Sequence, residues 1–316
     1  MLKLSVITPT LNQGRFIEKA MRSVLDQGYE PLEFIVVDGG STDETVEVLR
    51  SYDDRIDWWI SEPDQGQTDA LGKGLARATG DVIAYLNSDD YYLPDAFSTA
   101  IGALERTRDA GWVAGAALDL DEEGRPTDFG KWVPLPPSHY EKWPRGRQWW
   151  VTFPWGVPQP SCFWRRRLFD RYGGFRRDMH FAFDLEFMVR LALAGEMPLL
   201  LPDNVLSARI LHEDAKSADT SRWRAENRLI WRTHRGSLTR AERAFRFVGM
   251  VTGPLTSAYR HVSRWLRAGL HLVLARVVHP VLRLGGDLLE RVPEPIRPRI
   301  RNRDRHPEVR DERSYR

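Results

Sequence analysis

The chain has 316 residues and a mass of 36.5 kDa, with 42% hydrophobic and 28% charged residues, which excludes a fibrous, collagen-like or wholly disordered protein. A single cysteine, Cys162, excludes an intramolecular disulfide and a multi-cysteine zinc site. The net charge of +2 conceals an asymmetry: residues 1–220 hold 24 Lys and Arg against 35 acids, a net of −11, whereas residues 221–316 hold 22 Arg, no Lys and 9 acids, a net of +13.

Met1–Thr10 is too short and too soon interrupted for a signal peptide and reads as a strand. Leu4–Thr8 is an apolar, β-forming run, and Gly14–Gln27 has helical apolar spacing. Leu32–Val37 is a second strand, ending in Asp38-Gly39-Gly40. Ser41 and Glu44 have capping-box spacing and predict a helix to about Ser51. Trp58–Ile60 reads as a short strand, Gln67–Ala78 as a helix and Val82–Leu86 as a buried strand. Asp95–Arg108 is helical and Trp112–Leu120 a strand. This rhythm predicts βαβ units and a mainly parallel sheet. Residues 131–164 hold six of the twelve tryptophans among seven prolines, which predicts an ordered loop or irregular sheet edge. Phe181–Ala194 is a helix, and beyond about Arg235 the chain turns amphipathic and arginine-rich. No run of about 18 apolar residues predicts a membrane span.

Polar residues follow three strands: Thr8-Pro9-Thr10, Asp38, and Asn87-Ser88-Asp89. Open α/β sheets bind ligands beyond the carboxyl ends of their strands, so these clusters should meet in one crevice. An Asp there can accept from the imide of a uracil-like base or from ribose hydroxyls. Asn87 and Asp89 place oxygens two positions apart, a pattern suited to a hard divalent cation that keeps waters and bridges phosphates. Asp184 stands in an otherwise apolar stretch, which would raise its proton affinity toward useful base strength. Indole faces stack on sugar C–H faces, so the tryptophan-rich stretch suits acceptor recognition, with about two of its six tryptophans touching ligand. Trp155, Gln159, Ser161 and Trp164 are its candidate wall.

Ser5-Val6-Ile7-Thr8-Pro9-Thr10-Leu11-Asn12, Val36-Val37-Asp38-Gly39-Gly40-Ser41-Thr42-Asp43 and Leu86-Asn87-Ser88-Asp89-Asp90 together resemble the family 2 glycosyltransferases. The resemblance covers roughly residues 1–215. It implies a GT-A fold, a Rossmann-like and mainly parallel sheet flanked by helices, here with a basic helical C-terminal extension. It also implies a nucleotide-sugar donor of UDP type, Mn²⁺ or Mg²⁺, and inversion at the anomeric carbon. By the same resemblance Thr8, Pro9 and Thr10 contact the nucleotide, Asp38 holds the base, and Asp64, Asp69, Lys73, Asn87 and Ser88 complete the donor site. Gly72 stands where the family often has Asn, and Asn87 where it has the first acid of Asp-x-Asp. Asp89 is then the direct metal ligand and His212 a third, while Asp90 caps the next turn. Asp184 is the general base, with Glu186 second, and Lys216 contacts phosphate.

These readings divide the chain into a catalytic domain, 1–235, with a donor half to about 120 and an acceptor half from 121, and a tail, 236–316. The function expected is transfer of a sugar to a saccharide or lipid-linked acceptor. The rivals are a nucleotidyltransferase, disfavoured by the single glycine after the first strand, and a degenerate nucleotide-sugar-binding protein, suggested by Asn87 and Gly72. The tail suggests a cytoplasmic protein docked on the inner face of a membrane through arginines and apolar residues. Packing on the acidic body or in a homodimer is the alternative, and no nucleic-acid motif accompanies the tail.

Overall fold

A computed structural model describes residues 1–132, 157–213, 215–216 and 220–238. Strands β1 (Leu4–Thr10), β2 (Leu32–Asp38), β3 (Trp58–Ser61) and β4 (Val82–Tyr85) lie in the order β3-β2-β1-β4 with every neighbouring pair parallel. Helices α1 (Gly14–Leu25), α2 (Thr45–Ser51) and α3 (Gln67–Arg77) follow β1, β2 and β3. Both faces of this sheet are covered, so successive side chains alternate between two cores rather than between core and water. Leu4, Val6, Phe34, Val36, Val82 and Ala84 pack with α1 and with α4 (Ala96–Arg106). Ile7, Ile35, Val37, Ile83 and Tyr85 pack with α3, α5 (Arg166–Tyr172) and α6 (Phe183–Leu193). Gly74 lets α3 close on β1, since a Cβ there would lie 2.5 Å from Ile7 Cγ2.

The far half of the sheet is mixed. From β4 it runs through β8 (Cys162–Arg165), β6 (Trp112–Leu120) and β9 (Pro198–Ile210) to β5 (Tyr91–Tyr92), with β7 (Pro126–Trp132) paired to β6. β8 is antiparallel to both neighbours, β6 and β9 are parallel, and β5 and β7 pair antiparallel. The parallel character expected of most of the sheet belongs to its first four strands and to the β6–β9 pair. The expected loop over 131–164 also ends in a buried central strand, because Cys162-Phe163-Trp164 fills the slot between β4 and β6. β9 escapes period-2 reading because Pro202, Asp203 and Asn204 are accommodated where its register against β6 shifts, between Gly115 and Ala116.

Two local expectations are corrected. α2 begins at Thr45, whose N–H is met by Asp43 Oδ1 at 3.0 Å, while Ser41 donates to Asp38 and closes no capping box with Glu44. Trp164 is no ligand wall: its fully buried indole stacks between Tyr85 and Trp112 at centroid distances of 6.1 and 6.2 Å. Trp164→Ala is expected to cost about 3–5 kcal/mol of stability, read as a lower urea midpoint. The folded fraction should keep its nucleotide affinity.

Trp143, Trp149, Trp150 and Trp155 lie outside the described residues, as does the tail from residue 239. No helix among the described residues is long and apolar enough to cross a membrane.

Candidate active site

A cavity of about 850 Å³ opens beyond the carboxyl ends of β1 and β4. Pro9, Thr10, Leu11 and Gln13 enter it from the end of β1, and Asn87, Ser88, Asp89 and Asp90 from the turn after β4. Asp64, Gly66 and Gln67 come from the start of α3, and Phe183 and Asp184 from the start of α6. Thr10 Oγ1 and Gln13 Oε1 are buried there without a hydrogen-bond partner among the described residues, as is Thr8 Oγ1 just beneath. Buried polar atoms without partners are costly, so this wall is chemically suited to a ligand's donors and acceptors.

The carboxylates divide into those that face the cavity and those that do not. Asp38 is fully buried on its own loop, accepting from Ser41 N at 2.9 Å, Gly40 N at 3.2 Å, Ser61 Oγ at 2.6 Å and Ser41 Oγ. It does not line the cavity, and these bonds fix the turn that follows β2. Asp64 does line it, accepting from Gly66 N at 2.7 Å. Its other oxygen would lie 2.8 Å from a Cβ on Gly39, so a larger residue there would push the carboxylate aside. Asp69 and Lys73 turn away from the cavity. Lys73 Nζ pairs with Glu62 at 2.8 Å and Asp69 at 3.7 Å, and Arg177 reaches Asp69 at 3.6 Å. Arg177 covers the side of α3 that Gly72 leaves open.

Lys216 is the lysine that faces the cavity. Its ammonium donates to Gln67 Oε1 at 2.8 Å, Gln67 Nε2 donates to Asn87 Oδ1 at 2.7 Å, and Asn87 Nδ2 donates to Asp90 Oδ2 at 3.3 Å. An Asn serves both ends of this chain, which an Asp at 87 would not. Desolvation pulls the Lys216 pKa down, against the opposing charges of Glu226, Asp184 and Asp64. Asp90 is not a simple turn cap: it is buried, also accepts from Ile210 N at 3.4 Å, and is pushed well above the usual Asp range by desolvation and then by Asp89.

Asp89 and His212 come together, with His212 Nε2 3.1 Å from Asp89 Oδ2. Arg15 NH2 lies 3.4 Å from His212 Nδ1. A guanidinium only donates, so Nδ1 accepts and Nε2–H faces Asp89. Among the described residues no three His, Cys, Asp or Glu side chains gather as a metal cluster. One cavity-lining carboxylate with an adjoining imidazole fits a cation that takes its remaining ligands from diphosphate and water.

Asp184 is half-buried in the first turn of α6, and its Oδ1 accepts from Leu185 N at 2.7 Å. Desolvation raises its pKa, opposed by the backbone N–H groups of Leu185 and Asp184 and by the charges of Lys216 and Arg209. Glu186 faces elsewhere: Arg190 at 2.7 Å and His234 at 3.3 Å hold it, so it is no second base. Gln159 lines the cavity and donates to Tyr85 O at 2.9 Å. Ser161 does not line it; its hydroxyl donates to Ala116 O at 2.7 Å and pairs with Ser207 Oγ.

The Glycosyl transferase family 2 model matches residues 5–173, just over half of the sequence. The chain belongs to glycosyl transferase family 2. It is 32% identical over 199 residues to an uncharacterized glycosyltransferase of Mycobacterium tuberculosis, covering 61% of this chain and 70% of that one. It is 40% identical over 103 residues to the GalNAc(5)-diNAcBac-PP-undecaprenol beta-1,3-glucosyltransferase of Campylobacter jejuni, covering 31% of this chain and 33% of that one. In fold it resembles S. aureus TarS 1–349 in complex with UDP-GlcNAc, at TM-score 0.52 and 20% identity, over 69% of this chain and 61% of TarS 1–349. It also resembles the mannosyltransferase PcManGT of Pyrobaculum calidifontis in complex with GDP-Man and Mn²⁺, at TM-score 0.50 and 21% identity, over 92% and 81%. The transferase thus has the GT-A fold, and its family leaves the nucleotidyltransferase rival without support.

Gln13, Gln67, His180, Phe181, Arg209, Arg222 and Trp223 also line the cavity and were not singled out by sequence. Arg209 carried a legible signal, a charged residue in a buried strand; the structure pairs it with Asp119 at 2.9 and 3.0 Å.

Proposed function

We propose that this transferase moves a sugar from a UDP-type donor to a hydroxyl of a glycan or lipid-linked acceptor, in one displacement with inversion at the anomeric carbon. The observation that carries the reading is a single cavity joining Thr10, Asp64, Asn87 and Asp89, from the strand-end turns and α3, to Asp184 at the start of α6. Asp184 takes the acceptor proton as the hydroxyl oxygen bonds to the anomeric carbon. The bond from that carbon to the diphosphate oxygen breaks, and its electron pair leaves with the nucleoside diphosphate. Lys216 and Arg222 bring positive charge to the same cavity. Mn²⁺ or Mg²⁺, held by Asp89 with His212 beside it, would neutralise charge on the leaving diphosphate. The UDP-GlcNAc bound to TarS, the Mn²⁺ bound to PcManGT and the PP-undecaprenol-linked glycan in the name of the Campylobacter enzyme support this choice of donor, metal and acceptor.

Nucleotide release from a panel of UDP-, GDP- and dTDP-sugars with Mn²⁺ tests the reading. UDP release from at least one donor is expected. Tight nucleotide binding with no turnover of any donor would instead make the chain a degenerate binding protein.

Asp184 must be ionised to act as base, so its raised pKa places the acid limb of kcat above the ordinary Asp range. Lys216 and Arg209 favour its carboxylate, while Tyr85 and Cys162 stand nearby as neutral groups. Removing Lys216 weakens that support, so the acid limb of Lys216→Met is expected to move to higher pH. An unchanged or lowered midpoint would contradict the assignment.

The arginine-rich tail is proposed to dock the enzyme on the anionic inner face of the membrane. Full-length protein should float with anionic liposomes and a chain ending at residue 238 should not. Equal flotation of both, or a tail-dependent dimer that does not float, would contradict docking.

A further inference from the structure

Helix α6 carries Asp184 in its first turn; Ala182 at its N-cap has no capping side chain, and Asp184 Oδ1 meets Leu185 N within that turn. The turn that leads into the helix is held by a distant element. Glu226, on α7 (Thr220–Thr233), accepts from His180 N through one oxygen and from Phe181 N and Ala182 N through the other, all at 2.8 Å. Three consecutive backbone donors therefore close on one carboxylate at the positive end of the helix. The same short region carries Arg222 and Trp223 into the cavity.

We propose that Glu226 is a positioning residue for Asp184, its carboxylate fixing the 180–182 turn and coupling the first turn of α6 to the α7 wall of the cavity. The inference rests on the reading of Asp184 as the base. Only a carboxylate of this reach satisfies the turn. A Gln presents one oxygen and an NH₂ group that faces the backbone N–H donors, and an Asp is one methylene short. Displacing the turn misplaces Asp184 against the acceptor hydroxyl, and an error of about 1 Å at a reacting group costs on the order of 100-fold in rate. The donor is held mainly by residues from β1, β4 and α3, so its binding is spared.

The test compares Glu226→Gln, Glu226→Ala and Glu226→Asp with wild type, with active sites counted by UDP binding. Gln and Ala are expected to lower kcat per site by roughly 10- to 100-fold with donor KM within about threefold, and Asp to recover part of the loss. Unchanged kcat per site in Gln and Ala would overturn the proposal, as would a rise in donor KM as large as the fall in kcat. Native-state hydrogen exchange on wild type reads the same contact without a mutation. The amides of His180, Phe181 and Ala182 are expected to be protected, and exchange at the rate of an open loop would overturn the proposal even if no variant folds. Asp184→Asn run alongside separates the two claims. Full activity in Asp184→Asn removes the base assignment itself, whereas an inactive Asp184→Asn beside a wild-type-like Glu226→Ala removes only the role of Glu226.

Discussion

Asp184→Asn is expected to lower kcat by about three orders of magnitude while nucleotide affinity stays within about threefold. The substitution keeps the size of the side chain and its place in the first turn of α6, but an amide cannot take the acceptor proton. Desolvation raises the Asp184 pKa, so its carboxylate has more affinity for that proton than an exposed aspartate would. Glu186 cannot substitute, because Arg190 and His234 hold it away from the cavity. Steady-state transfer assays with UDP binding by calorimetry check both halves of the expectation. Activity within tenfold of wild type would remove Asp184 from the mechanism.

Asp89→Ala is expected to lower kcat/KM by at least about 100-fold and to abolish Mn²⁺ binding at the donor site. Asp89 is the cavity-lining carboxylate that His212 adjoins, and the neighbouring Asn87 is occupied by Gln67 and Asp90. His212→Ala should be milder, on the order of 10-fold, because His212 does not line the cavity and in this structure acts as a donor that orients Asp89. Mn²⁺ titration followed by electron paramagnetic resonance, with transfer rates at each metal concentration, distinguishes the two variants. Metal-stimulated transfer by Asp89→Ala would contradict the metal assignment.

The first four strands were legible because each is an apolar run closed by polar residues, and a sheet covered on both faces leaves just that signature. The convergence of Thr10, Asn87 and Asp89 on one cavity followed from the same parallel register. β8 was hidden inside a proline- and tryptophan-rich stretch, since four residues between other strands need no pattern of their own. The direction of Asp38 was not legible either. Its partners Gly40, Ser41 and Ser61 come from a turn and from a strand 23 residues on, and local sequence does not say that a carboxylate will spend its lone pairs on them. Lys73 and Lys216 look alike in sequence. Glu62 and Asp69 draw the first away, while Gln67 holds the second in the cavity. Glu226 gave no signal, because the N–H groups it satisfies lie more than 40 residues earlier in the chain.

The anomeric configuration of the first product formed tests the single-base displacement most directly. Proton NMR of the transferred sugar, recorded in the first turnovers from an α-linked UDP donor, should show a β-linked product. An α-linked product would mean retention and would contradict direct attack assisted by Asp184.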